Sequence, residues 1–127
     1  MSTGIKINSV FLVNAVPALG YAVLIFIMSS FPGYIIPNLP FFSFDKLVHL
    51  FEFGLFGIFV YRAFRFYFRV KQPYLATLVT CIPYAALDEF HQYFVQGRQC
   101  SIYDFTADLI GIVFFAALSA KLNVKQL

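Results

Sequence analysis

Three residues near the middle of the chain, Asp45, His49 and Glu52, have side chains and a spacing that could do chemistry. They stand at i, i+4 and i+7, so on an α-helix they form one stripe that runs about 10 Å along the helix. A histidine between two carboxyl groups can pass protons as a general acid or base, or it can share a bound cation with them. The stripe therefore predicts a proton-transfer or ligand-binding site, provided that a helix positions it.

Two further stretches carry acids at helical spacing. In "ALDEFHQYF", Asp88 and Gln92 share a helix face, and Glu89 lies about 100° round the same helix. Asp104 and Asp108 are also one turn apart in a later apolar run. All six acids of the chain and both of its histidines fall in these three stretches, so three helices are needed to position them.

The composition indicates that these helices lie in lipid. The chain has 127 residues, of which 61% are hydrophobic and 12% are charged, whereas a soluble domain is nearer one quarter charged. A chain this short has far more apolar surface than one aqueous core could use. The net charge of +3 does not indicate nucleic-acid binding, because the basic residues flank apolar runs as membrane anchors do.

The apolar runs predict an all-α fold, an integral membrane bundle of four antiparallel transmembrane helices in one domain, residues 1–127. The spans cover about residues 10–29, 46–67, 74–94 and 102–120, each long enough to cross a hydrocarbon core of about 30 Å. Seven Lys and Arg residues belong to the N-terminus, the second connection and the C-terminus, against two in the other connections. This bias predicts that both termini are cytoplasmic.

In that topology the acids gather at the outer ends of the helices. A charge exposed to hydrocarbon costs roughly 2.5–3.5 kcal/mol or more, so the three polar stripes should face one another around a shared, outward-facing cavity. Lys46 and Arg98 are the two cations at this end, and they cannot neutralise six carboxylates. Some of the acids must therefore hold protons, face water or bind something positive.

Two segments, "FDKLVHLFEFGLFG" and "DEFHQYFVQGRQCSIYDFTADLIG", resemble the signature blocks of VanZ-like membrane proteins. The family pattern is Asp-Lys with a His three residues after the Lys, then Asp-Glu with a Gln three after the Glu, followed by an Arg, a Ser and an Asp. In this sequence the matching positions are Asp45, Lys46, His49, Asp88, Glu89, Gln92, Arg98, Ser101 and Asp104. Asp108 departs from the family, which commonly has Asn there, and His91 is particular to this chain.

The resemblance implies a bacterial protein with a single VanZ-like transmembrane domain in the cytoplasmic (inner) membrane. The named member of that family confers low-level teicoplanin resistance, which places its role at the cell envelope. The implied partner is a membrane lipid, a lipid-linked precursor or a lipoglycopeptide. Neither a settled reaction, a cofactor nor an oligomeric state follows from the resemblance.

The polar site can be interpreted as an enzyme or as a binding site. As an enzyme, Asp88 or Glu89 would act as general acid or base with His49 as its partner. Arg98 would then clamp a phosphate or an oxyanion. As a binding site, the same residues would hold a headgroup, with Arg98 on phosphate and the acids on sugar hydroxyls or amines. The predicted binding positions are Asp45, Lys46, Glu52, Gln92, Arg98, Ser101, Asp104 and Asp108.

Three other interpretations also remain open. In a structural ion-pair network, Lys46 and Arg98 would neutralise some of the acids and fix the helix packing. A divalent metal would be bound by two i, i+3 pairs, and the candidate ligands are His49, Glu52, Asp88 and His91. Proton or ion transport is disfavoured, because the inner halves of the helices offer no continuous polar relay.

Small residues and one connection complete the expectations. Gly54, Gly57 and Gly111 predict close contacts between helices, which small residues permit in membranes. Ser101 is predicted to cap the fourth helix. The apolar segment 30–44, with three prolines, is predicted either to anchor in the membrane interface or to fold back as a lid over the cavity.

Overall fold

The computed structural model describes residues 8–35 and 42–124, and the regular elements within these ranges are all helical. A single turn of 3₁₀-helix covers Gly33–Ile35, and a short π-helical segment, Ala63–Tyr67, continues the third helix. The main helices are α1 (Ser9–Asn14), α2 (Val16–Ser29), α3 (Phe42–Arg62), α4 (Pro73–Tyr93) and α5 (Ile102–Val124). The prediction of an all-α fold is confirmed.

The first apolar run is a helix that is interrupted once. α1 and α2 meet at Ala15, and Pro17 lies in the first turn of α2. A proline has no backbone N–H and is therefore tolerated where a helix begins. The first apolar run is thus divided into two helices at Ala15. Pro73 begins α4 in the same way.

Within residues 8–35 and 42–124, three helical stretches are long and apolar enough to cross a membrane: Ser9–Ser29, Phe44–Tyr67 and Ile102–Asn123. They correspond to the first, second and fourth predicted spans. α4 has 21 residues, but its second half carries Asp88, Glu89, His91 and Gln92, which lower its hydropathy. The span predicted over residues 74–94 therefore stays a prediction.

The closest packing in the bundle is between α3 and α5. A Cβ atom added to Gly111 would collide with the Leu50 carbonyl oxygen, and one added to Gly54 would collide with the Phe115 ring. A Cβ at Gly57 would lie 3.5 Å from the Ile112 Cα. The predicted role of these three glycines is confirmed, and their contacts set the separation of the helices that carry His49 and Asp108.

Contacts between connections define the two ends of the bundle. At one end the Gly33 N–H donates to the Gln96 carbonyl oxygen over 2.9 Å, which joins the first and third connections. At the other end Arg62 Nη2 donates to Asn14 Oδ1 over 3.3 Å. The first end holds the acids, and the second end holds most of the Lys and Arg residues of the described ranges. Residues 36–41 of the predicted lid or anchor lie outside the described residues.

Candidate functional site

A buried triad of ionisable side chains, one from each of three helices, lies near the acidic end of the bundle. It consists of His49 on α3, Glu89 on α4 and Asp108 on α5, which are 5%, 3% and 0% exposed. His49 Nδ1 lies 3.0 Å from Asp108 Oδ1 and 3.9 Å from Glu89 Oε1. The expected convergence of polar stripes from three helices is therefore present for these residues.

Two oxygens of the triad have no hydrogen-bond partner within the described ranges, namely Glu89 Oε1 and Asp108 Oδ2. The other oxygen of Glu89, Oε2, accepts a hydrogen bond from the Ser101 N–H over 3.0 Å. Ser101 Oγ accepts from the Asp104 N–H over 3.4 Å, which confirms the predicted cap of the final helix. Glu89 thus holds the beginning of α5 with one oxygen, while its other oxygen has no hydrogen-bond partner among the described residues.

Lys46 and Asp104 form an ion pair beside the triad. Lys46 Nζ lies 2.5 Å from Asp104 Oδ1 and 3.7 Å from the more exposed Asp45. Asp104 Oδ2 lies 3.8 Å from His49 Nε2, on the side of the imidazole away from Glu89 and Asp108. The two ring nitrogens of His49 therefore face carboxylates from both directions, and a cation is already present on the Nε2 side.

Asp88 points away from the triad toward α2. Its carboxylate accepts hydrogen bonds from Ser29 Oγ and, over 3.1 Å, from Gln92 Nε2. Asp88 and Gln92 share a helix face, as expected. Because Asp88 and Glu89 are 100° apart round α4, Asp88 faces α2 and Glu89 faces His49 on α3 and the start of α5. Of the two acids proposed for acid–base chemistry, Glu89 is the one in contact with His49.

Arg98 binds backbone carbonyl groups rather than a carboxylate. Its Nε donates to the Phe31 oxygen and its Nη2 to the Met28 oxygen, each over 3.1 Å. Within the described ranges Arg98 therefore clamps no acid, contrary to the expectation, and its predicted role toward a phosphate or an oxyanion stays a prediction. The physical reason is that the last carbonyl groups of a helix lack intrahelical donors, and the joined connections hold Arg98 over the end of α2.

His91 and Glu52 also lie outside the triad. His91 Nε2 lies 3.1 Å from Ser30 Oγ, and its ring stacks on Phe26 at a centroid distance of 4.8 Å. Glu52 lines a groove of about 540 Å³ between α2 and α3, where its other lining residues are uncharged. The groove adjoins the polar region, because Glu52 lies on α3 three residues after His49.

The metal ligands proposed from the sequence do not assemble. Within the described ranges, two groups of side chains could each hold a metal ion: Asp45, His49 and Asp104, and His49, Glu89 and Asp108. Of the four predicted ligands, His49 alone belongs to these groups. The i, i+3 spacing puts His49 and Glu52 on the same helix face, but packing turns Glu52 toward the groove and His91 toward α2.

Ser29 and Ser30, at the end of α2, bind Asp88 and His91, although neither was among the predicted site residues. The sequence feature that could have identified them is a pair of adjacent serines at the end of an otherwise apolar span. Their hydroxyls provide hydrogen-bond partners for side chains that would otherwise be buried without one.

Comparison with known proteins gives one result. The family model described as VanZ/LLP1 matches residues 6–123, which is nearly the whole chain. No curated protein and no solved structure matches the chain.

Proposed function

The chain belongs to the VanZ/LLP1 family, and on that premise we propose that this membrane protein binds or acts on a lipid of the bacterial cell envelope. The ligand class is a membrane lipid, a lipid-linked cell-wall precursor or a lipoglycopeptide such as teicoplanin. The observation that carries the proposal is the buried triad His49, Glu89 and Asp108, which three helices assemble. Two of its carboxylate oxygens have no hydrogen-bond partner in the described part of the chain.

The proposal includes four membrane spans, with α4 as the third. Four polar residues of α4, Thr77, Asp88, Glu89 and Gln92, are buried against the bundle, whereas Thr80 and the apolar Leu75, Val79, Leu87 and Phe90 are exposed. An apolar outer face suits contact with lipid, and a polar face covered by other helices avoids most of the cost of crossing it. The positive-inside bias then puts the triad in the outer half of the bilayer.

The groove beside Glu52 supports a ligand with an acyl chain. Its volume is about 540 Å³, and apolar side chains such as Leu24, Leu47 and Phe51 line most of it. An acyl chain in this groove would lie among apolar side chains, while the polar head of the same lipid would reach Glu52 and then the triad. A water-soluble ligand would have no apolar chain to bury in a groove that opens toward lipid.

If the protein is an enzyme, Glu89 and His49 are its acid–base pair. Glu89 Oε1 is unpartnered and lies 3.9 Å from His49 Nδ1, so one group can take a proton that the other supplies. Asp88 is less suited to this role, because Ser29 and Gln92 already bind its carboxylate. The nearest cation for an anionic headgroup is Lys46, since Arg98 is engaged at the end of α2.

Lipid mass spectrometry on the purified protein tests the proposal. Wild-type protein should retain a specific envelope lipid or precursor, and Glu89→Gln should lose it or accumulate an unprocessed form. Thr106→Val is the matched control, because Thr106 is exposed and its hydroxyl binds only the Ile102 carbonyl of its own helix. Teicoplanin susceptibility of cells that express each variant provides the physiological readout.

A structural ion-pair network that binds no ligand is the alternative, and it predicts the opposite result in these measurements. One observation favours it, because Lys46 already neutralises Asp104. In that case Glu89→Gln would lower thermal stability in detergent while the retained lipids and the teicoplanin susceptibility stayed the same as in wild type. That result would contradict the lipid proposal.

A further inference from the structure

The free carboxylate oxygens of the triad point to a bound cation. Glu89 is 3% exposed and Asp108 is fully buried, yet one oxygen of each has no hydrogen-bond partner in the described part of the chain. Buried charges in proteins are normally paired or coordinate metal ions, because an isolated one is very costly. We propose that His49, Glu89 and Asp108 bind a divalent transition-metal ion, either Zn²⁺ or Mn²⁺.

The three side chains already have the separations that one metal ion would impose. Zn²⁺ bonded to tetrahedrally arranged nitrogen and oxygen ligands at about 2.0–2.2 Å keeps neighbouring ligand atoms roughly 3.4 Å apart. The distances from His49 Nδ1 to Asp108 Oδ1 and to Glu89 Oε1, 3.0 Å and 3.9 Å, lie on either side of that value. Ligand atoms of the three residues all lie within 4.8 Å of one another.

The second nitrogen of His49 has the neighbour that a metal-bound imidazole needs. His49 Nε2 lies 3.8 Å from Asp104 Oδ2, and Lys46 holds the other oxygen of Asp104. In metal sites such a carboxylate accepts the remaining ring N–H, which fixes the tautomer and the orientation of the imidazole. A small rotation of the ring would shorten this separation to a hydrogen bond when Nδ1 binds the metal.

The other group of ligand-type residues, Asp45, His49 and Asp104, is less suited to a metal ion. Lys46 Nζ lies 3.7 Å from Asp45 and 2.5 Å from Asp104, so an ammonium group already supplies positive charge there. The side chain of Asp45 is also 62% exposed. Glu89 Oε1 and Asp108 Oδ1 instead lie near His49 Nδ1, the ring nitrogen that Asp104 does not face.

The donor set selects the kind of metal. One imidazole nitrogen and two carboxylates suit Zn²⁺ or Mn²⁺, whereas Ca²⁺ usually takes six to eight oxygen ligands. Mg²⁺ keeps several waters and rarely binds in a site made only of protein groups. Three protein ligands also leave a coordination position open, as in catalytic sites. The inference does not depend on the lipid proposal, although a metal ion would offset the negative charge that opposes an anionic headgroup.

Metal titration of the purified full-length protein in detergent, after treatment with EDTA, tests the inference. Zn²⁺ and Mn²⁺ are the probes and Mg²⁺ is the comparison, with calorimetry and elemental analysis as readouts. We expect one ion per chain, with Mg²⁺ bound much more weakly. Glu89→Gln and Asp108→Asn should each weaken binding by at least about 100-fold, and Asp104→Asn by about 10–100-fold.

Thr106→Val is the control, because Thr106 lies on the same helix as Asp108 but is exposed, and its hydroxyl donates to the Ile102 carbonyl of its own helix. It should bind the probe ions as the wild type does. Equal losses in Thr106→Val and Glu89→Gln would overturn the proposal, and so would the lack of stoichiometric binding by folded wild-type protein. Co²⁺ absorption bands of the wild type, abolished by competing Zn²⁺, provide a test that needs no variant, and their absence would also overturn it. Because lipid retention is measured separately, either proposal can fail without the other.

Discussion

Replacing Gly111 by alanine should separate the two helices that carry His49 and Asp108. A Cβ atom at this position would collide with the Leu50 carbonyl oxygen, and it would lie 3.0 Å from the Leu50 carbonyl carbon and 3.1 Å from the Gly54 nitrogen. All three atoms belong to the backbone of α3. A flexible side chain could rotate away from the new methyl group, but a helix backbone cannot.

The size of the effect follows from these distances. Ordinary contacts of a methyl carbon are 3.4–4 Å, so α5 must move away from α3 by several tenths of an ångström or more. Overpacking a well-packed interface typically costs 1–3 kcal/mol. Since the obstacle is backbone, we expect a loss of about 2 kcal/mol in the free energy of unfolding, which changes the equilibrium constant roughly 30-fold.

The measurement is an unfolding titration with SDS in mixed micelles, followed by circular dichroism because the chain has no tryptophan. Gly57→Ala is the first control, since its Cβ would lie 3.4 Å from the nearest atom, and it should cost less than about 1 kcal/mol. Gly20→Ala is the second, because its Cβ would meet nothing within 4 Å. It should be neutral or stabilising by about 0.5–1 kcal/mol. If Gly111→Ala unfolds at the same SDS concentration as Gly20→Ala, the assignment of this contact as a close backbone contact between α3 and α5 is refuted.

Two further predictions concern the acidic end of the bundle. A membrane-impermeant maleimide applied to intact spheroplasts should label Cys100, which is exposed, and not Cys81, which is buried. Cys100→Ser is the control for specificity. Labelling of Cys100 only after lysis would contradict the proposed orientation. Arg98→Ala should remove two hydrogen bonds of 3.1 Å to carbonyl groups at the end of α2. Because each bond contributes about 1 kcal/mol, the hydrogen-exchange rates of nearby backbone amides should rise roughly tenfold or more. Arg98→Lys should recover only part of this protection, because an ammonium group lacks the planar fork, and full recovery would contradict the two-bond geometry.

The sequence was sufficient to predict the helices and the clustering of the acids at one end, because both follow from apolar periodicity and the cost of charge in lipid. It also indicated the glycine contacts and the Ser101 cap, which depend on local chemistry. Which of Asp88 and Glu89 would face His49 was not predictable. Adjacent residues differ by 100° on a helix, and the rotation of α4 is set by its packing against α2, α3 and α5.

The position of Arg98 could not be predicted, because it depends on a contact between two connections that are far apart in sequence. The Gly33 N–H bonds the Gln96 carbonyl oxygen, and Gly97 has a φ of 76°, a conformation that favours glycine. This turn directs Arg98 to α2 rather than to the acids. The prediction of a span at α4 was limited in a similar way. The hydropathy of one helix does not show that its polar face is covered by neighbouring helices.

The junction between Gly33 and Gln96 also affects where foreign sequence can be inserted. A reporter domain placed after Gly97 would have to break this backbone pairing, and it would pull Arg98 off the end of α2. Such a fusion would disturb two helix pairs at once, α2–α3 and α4–α5, even though the insertion point is at the surface. A tag in the turn around Lys71, at the opposite end, would leave that junction untouched and is the better place to attach one.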